Sequence, residues 1–211
     1  MIWRAALSLS PNAEHFMGMP ARSEAPRRWT REDVRALRNR SADGARYELV
    51  GGNLLVTPSP SGVHQEAVAL LWAALRPYVR RQGVGLTGLA PRDVDLEPDE
   101  TAQPDVFVIP PDEIDRYRGS EPVERLLLAA EVISPSSARG DRVDKRVLYQ
   151  RHGVSEYWIV DVEARVIERW RPSDDRPEIS SDALSWLPVG ATEPFRLDLV
   201  AYFDEVHGEN R

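Results

Sequence analysis

Two acidic residues and one lysine are the residues of this sequence whose types and spacing could do chemistry. Asp105 precedes the apolar run 106–109, and Glu131 lies within the apolar run 126–133. A carboxylate among apolar neighbours loses hydration, which is costly unless a cation or a metal ion compensates for it. Lys145 follows 14 positions after Glu131 and is the only lysine, because 26 of the 27 Lys and Arg residues are arginine.

This pattern indicates metal-assisted attack on a phosphate ester. Asp105 and Glu131 are 26 positions apart, so adjacent strands are needed to bring them together. Mg²⁺ typically takes one or two carboxylates and completes its shell with water and phosphate oxygens, and Mn²⁺ accepts similar ligands. Lys145 carries a compact ammonium, which fits beside a bound water or a scissile phosphate better than a planar guanidinium does.

The composition excludes several other classes of protein. The chain has no cysteine, which rules out disulfides, zinc–thiolate sites, iron–sulfur clusters and thiol nucleophiles, and is consistent with a cytoplasmic protein. No apolar run approaches 18 residues, so we expect no membrane segment. The formal net charge of −7 argues against coating of nucleic acid by bulk charge. It remains compatible with an acidic site that metal ions neutralise.

Local patterns predict the elements that must position these residues. Thr30 and Asp33 form a capping signal for a helix to about residue 40. Gly51-Gly52 indicate the turn of a hairpin over residues 47–56.

The rest of the chain is predicted to alternate between strands and helices. A helix is expected from Ser61 or Gly62 to about 82, followed by a plain turn at 83–88. Strands are expected at 92–96, 103–109, 125–133, 157–160 and 165–170. A second helix at 138–152 would be capped by Ser136 or Ser137, and a strand and a short helix are expected over 195–206. Two strands joined by a helix of this length should pair in parallel. Residues 1–25 are expected to be a disordered extension, and residues 26–211 a single domain.

Six segments together carry the pattern of a known family: Tyr47-Glu48-Leu49-Val50-Gly51-Gly52; Pro58-Ser59-Pro60 with His64-Gln65; Gln103-Pro104-Asp105; Glu131-Val132-Ile133-Ser134-Pro135-Ser136; Asp141, Asp144-Lys145 and Tyr149; and Gly153-Val154-Ser155-Glu156-Tyr157-Trp158-Ile159-Val160-Asp161. In these segments the sequence resembles the Uma-two family of the PD-(D/E)XK nuclease superfamily. The resemblance covers roughly residues 30–204.

The resemblance implies an α/β protein with a restriction-endonuclease-like core, in which helices flank a mixed central sheet and an N-terminal helix and hairpin are added. It makes Asp105 and Glu131 metal ligands and Lys145 the catalytic lysine, and it matches Glu48 to a further acidic position of the site. One departure matters. The superfamily signature places lysine at the second position after the acid, where this chain has Ile133. Lys145 then takes that role from the following helix.

Structural explanations exist for the acidic residues. Asp105 could cap a turn after Pro104, and Glu131 could pair with Arg139 or Arg142. Glu48 could have a structural role on the hairpin.

The basic residues near the site also have two explanations. His64, Arg142 and Arg146 are predicted to bind substrate, and the arginines would contact the phosphate backbone. Alternatively, His64 caps a helix and the arginines form a solvated helix face.

These observations predict a Mg²⁺- or Mn²⁺-dependent endonuclease that hydrolyses phosphodiester bonds in DNA. The alternative is a nuclease-fold protein without turnover that serves as a nucleic-acid-binding or interaction module. A third interpretation is a metal-dependent hydrolase of small phosphate esters. A homodimer is expected for cleavage of both strands of a duplex, since two sites would be related by a twofold axis.

Overall fold

The computed structural model describes residues 28–41, 44–119, 121–135 and 137–209. The predicted extension over residues 1–25 and the predicted helix cap Ser136 lie outside the described residues. The helices are α1 (Arg31–Arg40), α2 (Gly62–Gln82), α3 (Ile114–Arg118), α4 (Arg146–Arg151) and α5 (Leu199–His207), with a 3₁₀ turn (Pro111–Glu113) before α3 and a π-helical segment (Gly140–Lys145) before α4. In the part of the chain that the structure describes, no helix has the length and apolarity to cross a membrane.

Twelve strands are present in the described residues. They are β1 (Arg46–Val50), β2 (Asn53–Thr57), β3 (Leu86–Leu89), β4 (Val94–Glu97), β5 (Glu100–Ala102), β6 (Val106–Ile109), β7 (Leu128–Val132), β8 (Glu156–Asp161), β9 (Val166–Trp170), β10 (Glu178–Ser180), β11 (Ala183–Trp186) and β12 (Phe195–Asp198).

Ten of the strands form a central sheet and a smaller second sheet, and β11 and β12 form a separate antiparallel pair. The central sheet has the order β10-β9-β8-β7-β6-β3, and the second has the order β2-β1-β5-β4. Strands β7 and β8 pair in parallel, as the intervening helix predicts, while the other neighbours in the central sheet are antiparallel. The predicted mixed α/β class is therefore confirmed.

Two predicted elements differ from the structure. The plain turn expected at 83–88 is wrong, because β3 begins at Leu86 and pairs with β6. Residue propensities do not predict this strand, because glycine, which is depleted in strands, occupies positions 85 and 88. The strand expected over 103–109 is shorter, because β6 of the central sheet begins only at Val106 and β5 of the second sheet ends at Ala102. The residues 103–105 between them link the two sheets.

Helix α2 covers one face of the central sheet. Its capping residue Ser61 accepts a hydrogen bond from the backbone of His64, and its apolar stripe includes the fully buried Ala67, Leu71 and Leu75. Val63 in the first turn of the helix is exposed. Because the helix starts beside the N-terminal end of β6, its first turn faces the candidate site described below.

The close approach of β3 to β6 generates a testable prediction. Gly85 has a φ of +151°, and a Cβ there would overlap the carbonyl oxygen of Ile109. We expect Gly85→Ala to lower the free energy of unfolding by more than about 2 kcal/mol. The control is Gly62→Ala in the first turn of α2, where a Cβ meets nothing within 4 Å. Urea unfolding of both variants checks this, and equal stabilities would contradict it.

Candidate active site

The pairing of β6 with β7 brings Asp105 and Glu131 together. Val106 lies opposite Ala130, so Asp105 just before β6 faces the end of β7. The Val132 backbone N–H donates a hydrogen bond of 2.9 Å to Asp105 Oδ2. Both carboxylates are buried, with exposures of 3% for Asp105 and 2% for Glu131. The requirement for adjacent strands is thus met.

Lys145 reaches the same place from the π-helical segment. Its Nζ lies 2.9 Å from Glu131 Oε1, 2.9 Å from Glu48 Oε2 and 3.2 Å from Asp141 Oδ1. The helix over 138–151 is the one predicted at 138–152, but its middle is wound as a π-helix. Asp141 and Lys145 both lie on the buried side of this segment. Single π-helical turns within α-helices are frequent at functional sites.

Glu48 lies in the interior rather than on an exposed hairpin. Its side chain is fully buried, and Oε1 accepts a hydrogen bond of 2.6 Å from the Gln103 backbone N–H. Its other oxygen faces Lys145. The link 103–105 therefore contacts Glu48 of the second sheet at one end and Val132 of the central sheet at the other.

Asp105 is held as a carboxylate. Burial alone would raise its pKa, but the hydrogen bond with His64 and the charges of Arg46, His64 and Lys145 outweigh burial and lower the pKa to about 2. His64 Nε2 lies 3.3 Å from Asp105 Oδ2, and Arg46 Nη2 lies 2.6 Å from Asp105 Oδ1.

The pKa of Glu131 is shifted in the opposite direction, upward. Burial raises its pKa well above the usual value, and repulsion from Asp105, Asp141 and Glu48 adds to this, although Lys145 opposes it. Tyr149 donates a hydrogen bond of 3.2 Å to Glu131 Oε1.

Lys145 itself stays charged. Burial would lower its pKa, but the surrounding carboxylates of Glu131, Glu48 and Asp141 raise it well above the usual value. It therefore carries a permanent ammonium at physiological pH.

Two residues of the site were missed by the sequence argument. Arg46 contacts Asp105 and lies 3.8 Å from Glu131 through Nη1, and Asp141 pairs with Lys145. The spacing of both residues in the sequence could have indicated them. Arg46 and Glu48 are two positions apart and therefore share one face of β1. Asp141 and Lys145 are four positions apart and therefore lie on one side of a helix.

An open cleft of about 240 Å³ gives access to the site. Arg46, His64, Asp105, Glu131 and Lys145 line it, together with the loops that follow β2 and β7. His64 Nδ1 is buried and has no hydrogen-bond partner in the described chain. Arg46, His64 and Asp105 also line a second groove of about 630 Å³, which runs past Arg38 and the first turns of α2.

The two arginines predicted to bind substrate do not line this cleft. Arg142 pairs with Asp161 at 2.9 Å and with Glu168 at 2.6 Å. Arg146 lies over the Trp170 ring, with its guanidinium carbon 4.8 Å from the centroid. Neither arginine contacts Glu131, which pairs with Lys145 instead.

A second acidic cluster lies outside the cleft. Within the described residues, Glu97, Glu100 and His152 are the group of three whose potential metal-ligand atoms lie within 4.8 Å of one another. Arg151 pairs with Glu100 at 2.5 Å and with Glu97 at 3.5 Å. A side-chain cation already pairs with both carboxylates of this cluster, so we assign it no chemical role.

Comparison with protein families matches residues 31–194 to the Uma2 model, described as "Putative restriction endonuclease". The chain belongs to the Uma2 family. The matched residues include both candidate metal ligands and the lysine, and the family's description supports a nuclease function. No curated protein matches the sequence.

The fold is also similar to a solved structure. This is the crystal structure of a "putative nuclease belonging to DUF820" from Anabaena variabilis ATCC 29413, with a TM-score of 0.64 and 21% sequence identity. The match covers 76% of this chain and 90% of that chain. At this identity the similarity establishes the shared fold.

The charge of the site fits a divalent cation. Four buried carboxylates face two permanent side-chain cations, which leaves an excess of two negative charges; the carboxylates are Glu48, Asp105, Glu131 and Asp141, and the cations are Arg46 and Lys145. Asp105 and Glu131 supply the hard oxygen ligands that Mg²⁺ and Mn²⁺ prefer.

The opposite pKa shifts of the two carboxylates predict opposite mutational effects on stability without metal. Asp105 has a folded-state pKa below its ordinary 3.8, so its charge stabilises the fold by about 2 kcal/mol above that pH, and this is lost as the pH falls toward 2. Glu131 has a raised pKa, so its charge destabilises the fold near neutral pH. We expect Asp105→Asn to lower the melting temperature and Glu131→Gln to raise it.

Thermal unfolding in EDTA near neutral pH checks this pair, and each variant serves as the control for the other. Shifts of the same sign would contradict the assigned electrostatics.

Proposed function

We propose that this protein is a divalent-metal-dependent nuclease that hydrolyses phosphodiester bonds in DNA. The observation that carries the proposal is the 2.9 Å contact between Lys145 Nζ and Glu131 Oε1, beside buried Asp105 in an open cleft. Two carboxylates can hold a divalent ion, and an ammonium beside them can stabilise negative charge on a phosphate.

Asp105 and Glu131 would hold the ion. When bound, Mg²⁺ or Mn²⁺ lowers the pKa of a coordinated water and offsets the charge of the phosphate. Asp105 remains ionised over the physiological pH range because its pKa is low. The raised pKa of Glu131 makes metal binding weaken as the pH falls, because protons compete with the ion for its carboxylate.

Lys145 acts as a fixed positive charge and not as a base, because its pKa is raised. An ammonium in this position stabilises the negative charge that develops on the phosphate oxygens during attack. Glu48 and Asp141 fix its position from two sides. They are positioning residues, since they act on the reaction through Lys145.

DNA would reach the ion through the cleft that His64 lines. We retain the expectation of a homodimer, because a twofold axis would present one site to each strand of a duplex. Sedimentation of the protein with and without a duplex tests it.

A second candidate is a nuclease-fold protein that binds nucleic acid without turnover. It is favoured by one observation, namely that both cations of the site are already paired with carboxylates. It predicts binding of DNA that is not followed by cleavage in any metal.

A cleavage assay separates these functions. We expect Mg²⁺ or Mn²⁺ to support cleavage of plasmid DNA, and Lys145→Met to reduce the rate at least about 100-fold, because the charge that stabilises the transition state is lost. Arg146→Met is the matched control: it removes the next cation along the helix, which stacks on Trp170 outside the cleft, and should keep the rate within a few-fold.

Equal losses in the two variants would refute the role of Lys145. Turnover of nucleotides or small phosphate esters without cleavage of DNA would replace the nuclease by a phosphoesterase.

A further inference from the structure

Arg46 bridges the two candidate metal ligands. Its Nη2 lies 2.6 Å from Asp105 Oδ1, and its Nη1 lies 3.8 Å from Glu131 Oε2. Nη1 also donates a hydrogen bond of 2.7 Å to the Gln103 carbonyl oxygen, and the side chain is 16% exposed. The guanidinium is therefore a cation placed between the same carboxylates that would hold the ion.

We propose that Arg46 is a built-in competitor of the divalent ion, which holds Asp105 and Glu131 in place until the ion displaces it. This inference rests on the proposed metal site. A guanidinium and a divalent ion require the same carboxylate oxygens, and two cations a few ångströms apart in a buried site repel strongly.

The neighbouring groove gives the displaced side chain a place to go. Arg46 lines both the cleft and the groove of about 630 Å³, so the groove offers space beside Asp105 for its guanidinium. Once free, it keeps its charge and its planar fork, which suits a phosphate group. Metal binding would thereby release a phosphate-binding group beside the site, so metal and DNA should bind with positive coupling.

The first test measures Mn²⁺ binding by calorimetry with the full chain and no DNA. Arg46→Met keeps the length of the side chain and removes its charge. We expect it to bind Mn²⁺ at least about tenfold more tightly than the unmodified chain, because the competing cation is gone.

Arg38→Met is the matched control. Arg38 lines the same groove but pairs with Asp93 at 2.8 Å and contacts neither candidate ligand, so its removal should leave the affinity within about twofold. Equal or weaker affinity in Arg46→Met than in the unmodified chain overturns the inference.

A second measurement uses the unmodified chain, and it decides the question even if Arg46→Met does not fold. The side-chain Nε–H resonance of Arg46, assigned with Arg46→Lys, is followed during titration with Mg²⁺. We expect it to shift with the midpoint of metal binding as the contact with Asp105 breaks. A resonance that stays in place while Mg²⁺ binds overturns the inference.

Asp105→Asn keeps the two proposals apart. If the unmodified chain binds Mn²⁺ and Asp105→Asn does not, the metal assignment holds and the Arg46 comparison tests competition alone. If no variant binds Mn²⁺, both the metal assignment and the competition are wrong.

Discussion

The rest of the structure depends on the balance of charge inside one buried site. Four carboxylates lie where water is largely excluded, and each is costly there without a counter-charge. Lys145 contacts three of them and Arg46 contacts two. These two cations allow the strands that carry the acids to pack, yet they leave the site negative. The residual negative charge is the property that would attract a divalent ion.

Two sheets meet at the site, and each contributes charged residues to it. The second sheet contributes Arg46 and Glu48 through β1, and the central sheet contributes Asp105 and Glu131 through β6 and β7. The three-residue link 103–105 is the covalent connection between the sheets at this point. Because its backbone N–H at Gln103 bonds Glu48 and its Asp105 side chain bonds Val132, the link fixes the distance between the two halves of the site.

The same site contains two features that cost stability. The raised pKa of Glu131 means that its ionised form opposes folding, and the carboxylate is retained where a neutral side chain would pack at lower cost. The π-helical segment is the second of these features. Helices of this type are rare and frequently lie at functional sites. Here the winding keeps Asp141 and Lys145 on the buried side. Both features are local departures from ideal folding that a functional site explains.

The sequence alone determined the main elements and the residues that could do chemistry. The capping box at Thr30, the hairpin at Gly51-Gly52 and the long amphipathic α2 follow from local rules of three or four residues, which the chain obeys. Asp105, Glu131 and Lys145 stood out because an acid among apolar residues and a lone lysine are unusual. Their nuclease chemistry remains a prediction that cleavage and metal binding must test.

Tertiary structure decided which charges meet. Arg46 pairs with Asp105, and Arg142 pairs with Asp161. Glu48 is buried. These contacts depend on distances between segments that are far apart in the chain. Local patterns carry no information on such distances. The strand β3 was not predicted for the same reason, since Gly88 within it is a poor strand former and its pairing with β6 is a long-range contact.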